Sequence, residues 1–130
     1  MGRVVRFGVD GARGQGRPRF SRRGHAYKSD ADKRWERRVR DAWPEGAPRF
    51  HGPVSVRIDV WRALPKGCPK RVESEPDTHR PDADNVAKGV LDALNGVAWD
   101  DDAQVVDLYV VKHDRTHRER DLTVVTVAPI

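Results

Sequence analysis

Aspartates are concentrated in one short segment of an otherwise basic chain. The segment PDADNVAKGVLDALNGVAWDDDAQVV, residues 81–106, holds six aspartates and one lysine, yet the 130-residue chain has a formal net charge of +5. Residues 1–40 contain 13 Lys/Arg against 4 Asp/Glu, and residues 72–107 contain 10 Asp/Glu against 2 Lys/Arg. This asymmetry indicates a surface that attracts a polyanion beside an acidic site that a divalent cation would neutralise.

The spacing of the first aspartates favours convergence. Asp82 and Asp84 are two positions apart, so their side chains share one face of an extended segment but not of a helix. Pro81 disfavours helix in the residue before it, and we therefore expect residues 80–84 to be extended, with a helix beginning at Asp84 or Asn85. Lys88 follows Asp84 by four residues, one helical turn, and would reach the same site.

The second acidic cluster, Asp100 to Asp102, follows the predicted helix, and the sequence leaves open whether it returns to the first. If it does, the carboxylates surround one point and suit Mg²⁺ or Mn²⁺ rather than zinc. Such a site would activate water for phosphodiester hydrolysis, and Lys88 would stabilise the developing charge. The alternative is structural: a capped helix, an ion-pair ladder through Asp92 and an ordinary Asp-rich turn.

The hydrophobic pattern places these residues in a small domain. Alternating apolar residues predict strands over 4–9 and 54–61 and two more in QVVDLYVVKH and DLTVVTVA, whereas helical spacing predicts helices over 29–43 and 84–95. We interpret the Gly/Arg-rich residues 11–28 and the Pro-rich residues 65–81 as loops. The order β-α-β-α-β-β predicts a single α/β (α+β) domain, residues 1–130, with a mixed four-stranded sheet flanked by two helices.

A basic arm precedes the first predicted helix. Cationic side chains of this kind bind phosphates independently of sequence, and Phe20 and Tyr27 would stack on an exposed base. The alternative is a solvated loop whose aromatic residues pack on the core. The candidate DNA-binding residues are Arg17, Arg19, Arg22, Arg23 and Lys28.

The central segment also resembles the signature of the RusA-type Holliday-junction resolvases, which are crossover junction endodeoxyribonucleases. The shared pattern is Asp-x-Asp-Asn, a lysine four residues after the second Asp, Leu-Asp-Ala-Leu, and Asp-Asp-x-Gln-Val before a strand ending in Lys; GQGRPRF is similar to a stretch in one branch of the family. The resemblance implies that Asp82, Asp84 and Asp102 bind Mg²⁺, for which Mn²⁺ substitutes, and that Lys88 is catalytic. Asp101 is the alternative third ligand.

The resemblance further implies a homodimer that resolves four-way DNA junctions by paired symmetric nicks in recombination and repair. Alternatives are a flap or fork nuclease of the same fold, a non-catalytic junction-binding protein, or a protein-interaction module. No 18-residue apolar run, no signal peptide and a single cysteine predict a cytoplasmic protein without membrane contact. The Arg-, Ala- and Asp-rich composition suggests a GC-rich genome and a phage or prophage origin.

Overall fold

The computed structural model describes residues 2–16 and 18–130. Two helices and one larger sheet make up most of the fold, and four strands of two residues each form two smaller ribbons. In chain order the elements are β1 Val5–Asp10, β2 Arg19–Phe20, β3 Ala26–Tyr27, α1 Asp30–Ala42, β4 Val54–Trp61, β5 Ser74–Glu75, α2 Ala83–Leu94, β6 Val105–Lys112, β7 Arg115–Thr116 and β8 Leu122–Pro129.

The main sheet confirms the predicted mixed four-stranded architecture. Its strand order is β1-β8-β4-β6, with β4 and β6 parallel and the other two pairings antiparallel. The parallel pair requires a crossover connection, and α2 supplies it. Both small sheets are two-stranded, β2 with β3 and β5 with β7. None of the helices within residues 2–16 and 18–130 is long and apolar enough to cross a bilayer.

One face of the main sheet forms the core with both helices. The alternation predicted for β4 is confirmed, because Val54, Val56, Ile58 and Val60 are fully buried. The core cluster continues into the apolar faces of α1 and α2 through Trp35, Val39, Val86 and Val90. The helices therefore share a single core with the sheet and are fixed relative to its strands.

Both helices begin at side chains that favour helix starts. Ser29 caps α1, and its hydroxyl accepts a hydrogen bond from Asp32 N at 3.2 Å. Asp82 is the N-cap of α2 with an extended backbone, φ −70° and ψ 150°. The prediction that residues 80–84 are all extended is thus wrong beyond Asp82, because helix already begins at Ala83. Gly96, with φ +80°, follows the end of α2 as predicted.

Two segments predicted as loops contain short ribbons. Within residues 11–28, β2 and β3 form an antiparallel hairpin. Within residues 65–81, β5 pairs with β7, which lies in the turn predicted after β6. Strands of two residues carry no usable periodicity, so hydrophobic alternation could not reveal them.

Candidate active site

The segment before α2 is attached to the end of the main sheet where the parallel strands finish. Lys112, the last residue of β6, donates from Nζ to the backbone oxygen of His79 at 2.6 Å. Arg62, immediately after β4, donates from Nη1 to the backbone oxygen of Arg80 at 2.6 Å. The carboxyl ends of parallel strands are the usual location of ligand sites in α/β folds.

A buried carboxylate reinforces this attachment. The side chain of Asp77 is fully buried, and its Oδ1 lies 3.4 Å from Arg62 Nη1 and 4.0 Å from Lys112 Nζ. The backbone nitrogen of His79 also donates to Asp77 Oδ1, at 3.4 Å. Asp77 therefore links the ends of β4 and β6 to the segment that carries the candidate ligands. Sequence reasoning missed it, since no periodic pattern surrounds it.

Three of the predicted site residues line one open cleft of about 850 Å³: Asp82, Asp84 and Lys88. Asp82 occupies the N-cap of α2, but its side chain makes no capping hydrogen bond, so its carboxylate is not used to close the helix. The positive end of the α2 dipole favours negative charge at this position. The described ion pairs nearest the cleft use Asp32 and Asp92 instead.

The Gly-rich stretch after β1 forms the opposite wall of the cleft. Its Gln15 N donates to Asn85 O in α2 at 2.9 Å. A Cβ at Gly14 would lie 2.6 Å from Pro81 Cβ, so only glycine permits this approach. Gly16 N donates to Asp32 Oδ2 at 3.3 Å. The sequence predicted these residues as part of a loop, and hydrogen bonds to Asn85 and Asp32 attach that loop to both helices.

Lys88 belongs to a chain of charges between the two helices. Its Nζ lies 3.8 Å from Asp92 Oδ2, and Lys28 Nζ approaches the same oxygen at 3.3 Å. Lys28 also donates to Glu36 of α1. Partial burial lowers the pKa of Lys28, but the hydrogen bond to Glu36 and the charge of Asp92 outweigh it and raise that pKa above its usual value. Lys28, a predicted DNA contact, thus forms ion pairs with both Glu36 of α1 and Asp92 of α2.

The second acidic cluster lies at the other end of the main sheet, and each of its carboxylates has a partner. Asp100 pairs with Arg49 and His51, both at 2.8 Å; the hydrogen bond from His51 is the main reason that its pKa is lowered. Asp101 caps a 3-10 turn by accepting from Ala103 N at 3.1 Å. Asp102 Oδ1 accepts from the indole of the buried Trp99 at 2.8 Å.

The structure does not bring the two clusters together within one chain. Asp102 follows the carboxyl end of α2 and Asp84 lies in its first turn, so the helix, 12 residues long, separates them by about 18 Å. Across residues 2–16 and 18–130, no three His, Cys, Asp or Glu side chains are close enough to hold one metal ion. Asp82, Asp84 and Lys88 meet in the cleft, whereas Asp101 and Asp102 lie apart from it.

The basic arm is a projecting hairpin rather than an unstructured loop. Arg19, Arg22 and Arg23 are exposed on β2 and the turn that follows it. Arg17 lies outside the described residues. Pro18, at the base of the hairpin, lines the cleft that holds Asp82.

The donor set of the cleft fits a hard divalent cation. Asp82 and Asp84 offer carboxylate oxygens, and Gln15 beside them offers a carboxamide, whereas none of the described residues that line the cleft is a cysteine or a histidine. Oxygen donors of this kind suit Mg²⁺ and Mn²⁺. Two carboxylates are fewer than most such sites use, which leaves room for water, phosphate oxygens or a ligand from elsewhere.

Comparison with known proteins shows the family of the chain. The family model described as "Endodeoxyribonuclease RusA" matches residues 11–127, which include both walls of the cleft and both acidic clusters. The uncharacterized protein YqaN of Bacillus subtilis (strain 168) is 39% identical over 111 residues, covering 75% of this chain and 78% of that protein. A match over nearly the whole chain establishes the relationship, and this protein belongs to the RusA family of endodeoxyribonucleases.

Proposed function

We propose that this protein is a Mg²⁺-dependent nuclease that resolves four-way DNA junctions, with the cleft between residues 12–16 and the start of α2 as its catalytic centre. The observation that carries the proposal is the cleft itself: Asp82 and Asp84 line it together with Lys88. Family membership supplies the substrate class, DNA. The paired carboxylates explain why a basic, DNA-binding protein would have an acidic site.

Each residue has a defined task in this proposal. Asp82 and Asp84 hold Mg²⁺ or Mn²⁺, which when bound polarises a phosphate oxygen and makes water a stronger nucleophile at neutral pH. Lys88, one turn into α2, places its ammonium beside the phosphate and favours the negative charge that grows there during cleavage. The wall formed by Gly14 and Gln15 narrows the cleft and limits how a strand can enter it.

A homodimer would complete the ligand set. β6 is an edge strand of the main sheet, and Val106, Leu108 and Tyr109 on it are exposed. Two β6 edges related by a twofold axis pair antiparallel, which places the start of one strand beside the end of the other. Asp102 precedes β6 and Lys112 ends it, so we propose that Asp102 of one chain joins Asp82 and Asp84 of the second.

The dimer also accounts for paired nicks. The twofold axis of the dimer relates its two clefts, and a four-way junction has a twofold axis that relates two opposite strands. When the two axes coincide, each chain would cut one of these strands.

The direct test is cleavage of a synthetic four-way junction, a flap and a linear duplex of matched sequence, with and without Mg²⁺, at one salt concentration. Symmetric, Mg²⁺-dependent nicks on the junction alone support the proposal. Preferential cutting of the flap would replace it with a flap nuclease, and tight junction binding without cutting would indicate a binding protein.

Mixing two inactive variants tests whether the site is shared between chains. Asp82→Asn and Asp102→Asn are each expected to be inactive as homodimers. If Asp102 acts on the second chain, a mixed dimer has one intact cleft and makes a single nick per junction. If Asp102 acts within its own chain, the mixture stays inactive, and the shared site is wrong even where the wild-type protein cleaves junctions.

A further inference from the structure

Residues 19–27, here called the arginine ribbon, form an ordered β-hairpin. β2 and β3 pair Arg19 with Tyr27 and Phe20 with Ala26. The turn between them is closed by Gly24 N donating to Ser21 O at 2.9 Å. His25 N also donates to the Ser21 hydroxyl at 3.1 Å. These contacts give the ribbon a defined tip.

The arginine ribbon exposes aromatic side chains that the core does not use. All nine of its residues are exposed, and Phe20 has 69% of its surface accessible. Neighbouring residues of a strand point to opposite faces, so Phe20 lies on one face of the ribbon and Tyr27, opposite Arg19, on the other. Exposed aromatic residues on a projecting element indicate a binding partner.

The charge of the ribbon favours DNA over an apolar protein surface as that partner. Arg19, Arg22 and Arg23 lie within three residues of Phe20 in the sequence, and there is no Asp or Glu between Ala12 and Lys28. Guanidinium groups beside an aromatic ring are the combination that binds phosphates and stacks on bases. A purely apolar partner would leave three arginines without counter-charges.

The base of the arginine ribbon is fixed at the rim of the cleft. Pro18, before β2, lines the cleft with Asp82. Lys28, after β3, reaches Asp92, whose Oδ2 is 3.8 Å from Lys88 Nζ. A strand whose phosphate enters the cleft would therefore pass its neighbouring bases alongside the ribbon.

We propose that the arginine ribbon enters the branch point of the DNA, where Phe20 stacks on an exposed base, and that this contact selects branched over linear DNA. The inference rests on the proposed function only in taking DNA as the substrate. In linear duplex every base is already stacked, so insertion of Phe20 first costs the separation of a base step. Bases at a branch point have lost a stacking neighbour, and there the same insertion has no such cost.

Equilibrium binding without divalent cation tests the proposal apart from cleavage. Four-way junction and linear duplex of the same sequence are titrated at one salt concentration with wild type, Phe20→Ala and Phe20→Trp. We expect Phe20→Ala to lose roughly 5- to 100-fold in junction affinity, the range of one base–aromatic stack, with duplex affinity unchanged. Phe20→Trp keeps a stacking surface and should keep the junction preference.

The matched control removes positive charge from the ribbon and keeps the aromatic ring of Phe20. The double variant Arg22→Ala and Arg23→Ala should weaken binding to both DNAs alike and reduce the dependence of affinity on salt. A 2-aminopurine at the branch point reports the stacking directly, since its fluorescence should change on binding wild type and not on binding Phe20→Ala.

The outcomes separate this inference from the proposed function. If Phe20→Ala leaves the ratio of junction to duplex affinity unchanged, the ribbon inference is overturned even where the wild-type protein cleaves junctions. If the wild-type protein cuts no DNA while Phe20→Ala abolishes the junction preference, the proposed nuclease activity fails and the ribbon inference stands. Because Phe20 is exposed, thermal melting should show both Phe20 variants folded as stably as wild type.

Discussion

The two acidic clusters contain the same residue type and differ in what surrounds them. Asp82 and Asp84 line a cleft, and the side chain of Asp82 makes no capping hydrogen bond to its own helix. Asp100, by contrast, pairs with Arg49 and His51. Asp101 and Asp102 also have internal partners, a backbone amide and the indole of Trp99.

Proximity in sequence does not define the site. Carboxylates that already accept hydrogen bonds from the protein stabilise a turn, whereas carboxylates that line a cleft are available to a cation. In our proposal Asp102 does both, because one oxygen accepts a hydrogen bond from the Trp99 indole while the carboxylate reaches the cleft of a second chain.

The largest effect is expected from Asp82→Asn. It removes a proposed cation ligand, so cleavage of a four-way junction should fall by more than the roughly 10- to 100-fold that losing a supporting residue of a metal site costs. Junction binding should stay intact or tighten, because a negative charge near the phosphate is lost. Single-turnover cleavage and equilibrium binding measure the two effects. Asp100→Asn in the second cluster is the matched control and should cleave normally; equal losses in both variants would contradict the distinction.

Substitution of Asp102 should separate a structural from a catalytic role. Asp102→Ala leaves the buried Trp99 indole without an acceptor and should lower the free energy of unfolding by about 2 kcal/mol. Asp102→Asn keeps an acceptor and should retain most of that stability, yet it removes the charge that a cation needs. Urea denaturation and junction cleavage are measured on both variants. Full cleavage by a folded Asp102→Asn would remove Asp102 from the ligand set.

The periodicity of apolar residues was enough to predict the two helices and the four strands of the main sheet. The clean alternation of β4 and the helical stripe of α2 defined the main elements, because burial on one face requires those patterns. The short ribbons were missed, as was the close approach of Gly14 to Pro81. These depend on contacts between segments distant in sequence, which a local pattern does not record.

The candidate site was predictable only in part, for the same reason. Asp82, Asp84 and Lys88 share one helix start, so their spacing was informative. The support from Asp77 and Lys112 was not visible, although the family pattern already placed a lysine at the end of that strand. The separation of Asp102 from the cleft depends on the direction of α2 relative to β6, which the sequence left open.

A smaller effect is expected from Asp101→Ala, which tests the alternative third ligand. The change removes the cap of the 3-10 turn that precedes β6, and loss of a cap costs about 1 kcal/mol. Cleavage should persist, because the carboxylate of Asp101 is used within the turn. Thermal melting and junction cleavage are the measurements. Loss of cleavage in Asp101→Ala, with cleavage retained in Asp102→Asn, would exchange the two assignments.

The smallest effect is expected on the acid stability of the fold, and it concerns a carboxylate that belongs to neither cluster. Asp59 in β4 is buried, which alone would raise its pKa, but hydrogen bonds from Arg57 and His113 hold that pKa below its ordinary value of 3.8. Because the pKa of Asp59 is lower in the folded state, the charged carboxylate stabilises the fold fully above pH 3.8. This stabilisation is lost as the pH falls through the folded-state pKa. The free energy of unfolding, measured by urea denaturation from pH 5 downward, should therefore fall less steeply in Asp59→Asn than in wild type. Arg57→Met removes one donor and should give an intermediate slope; identical slopes in all three proteins would show that these hydrogen bonds do not govern acid stability.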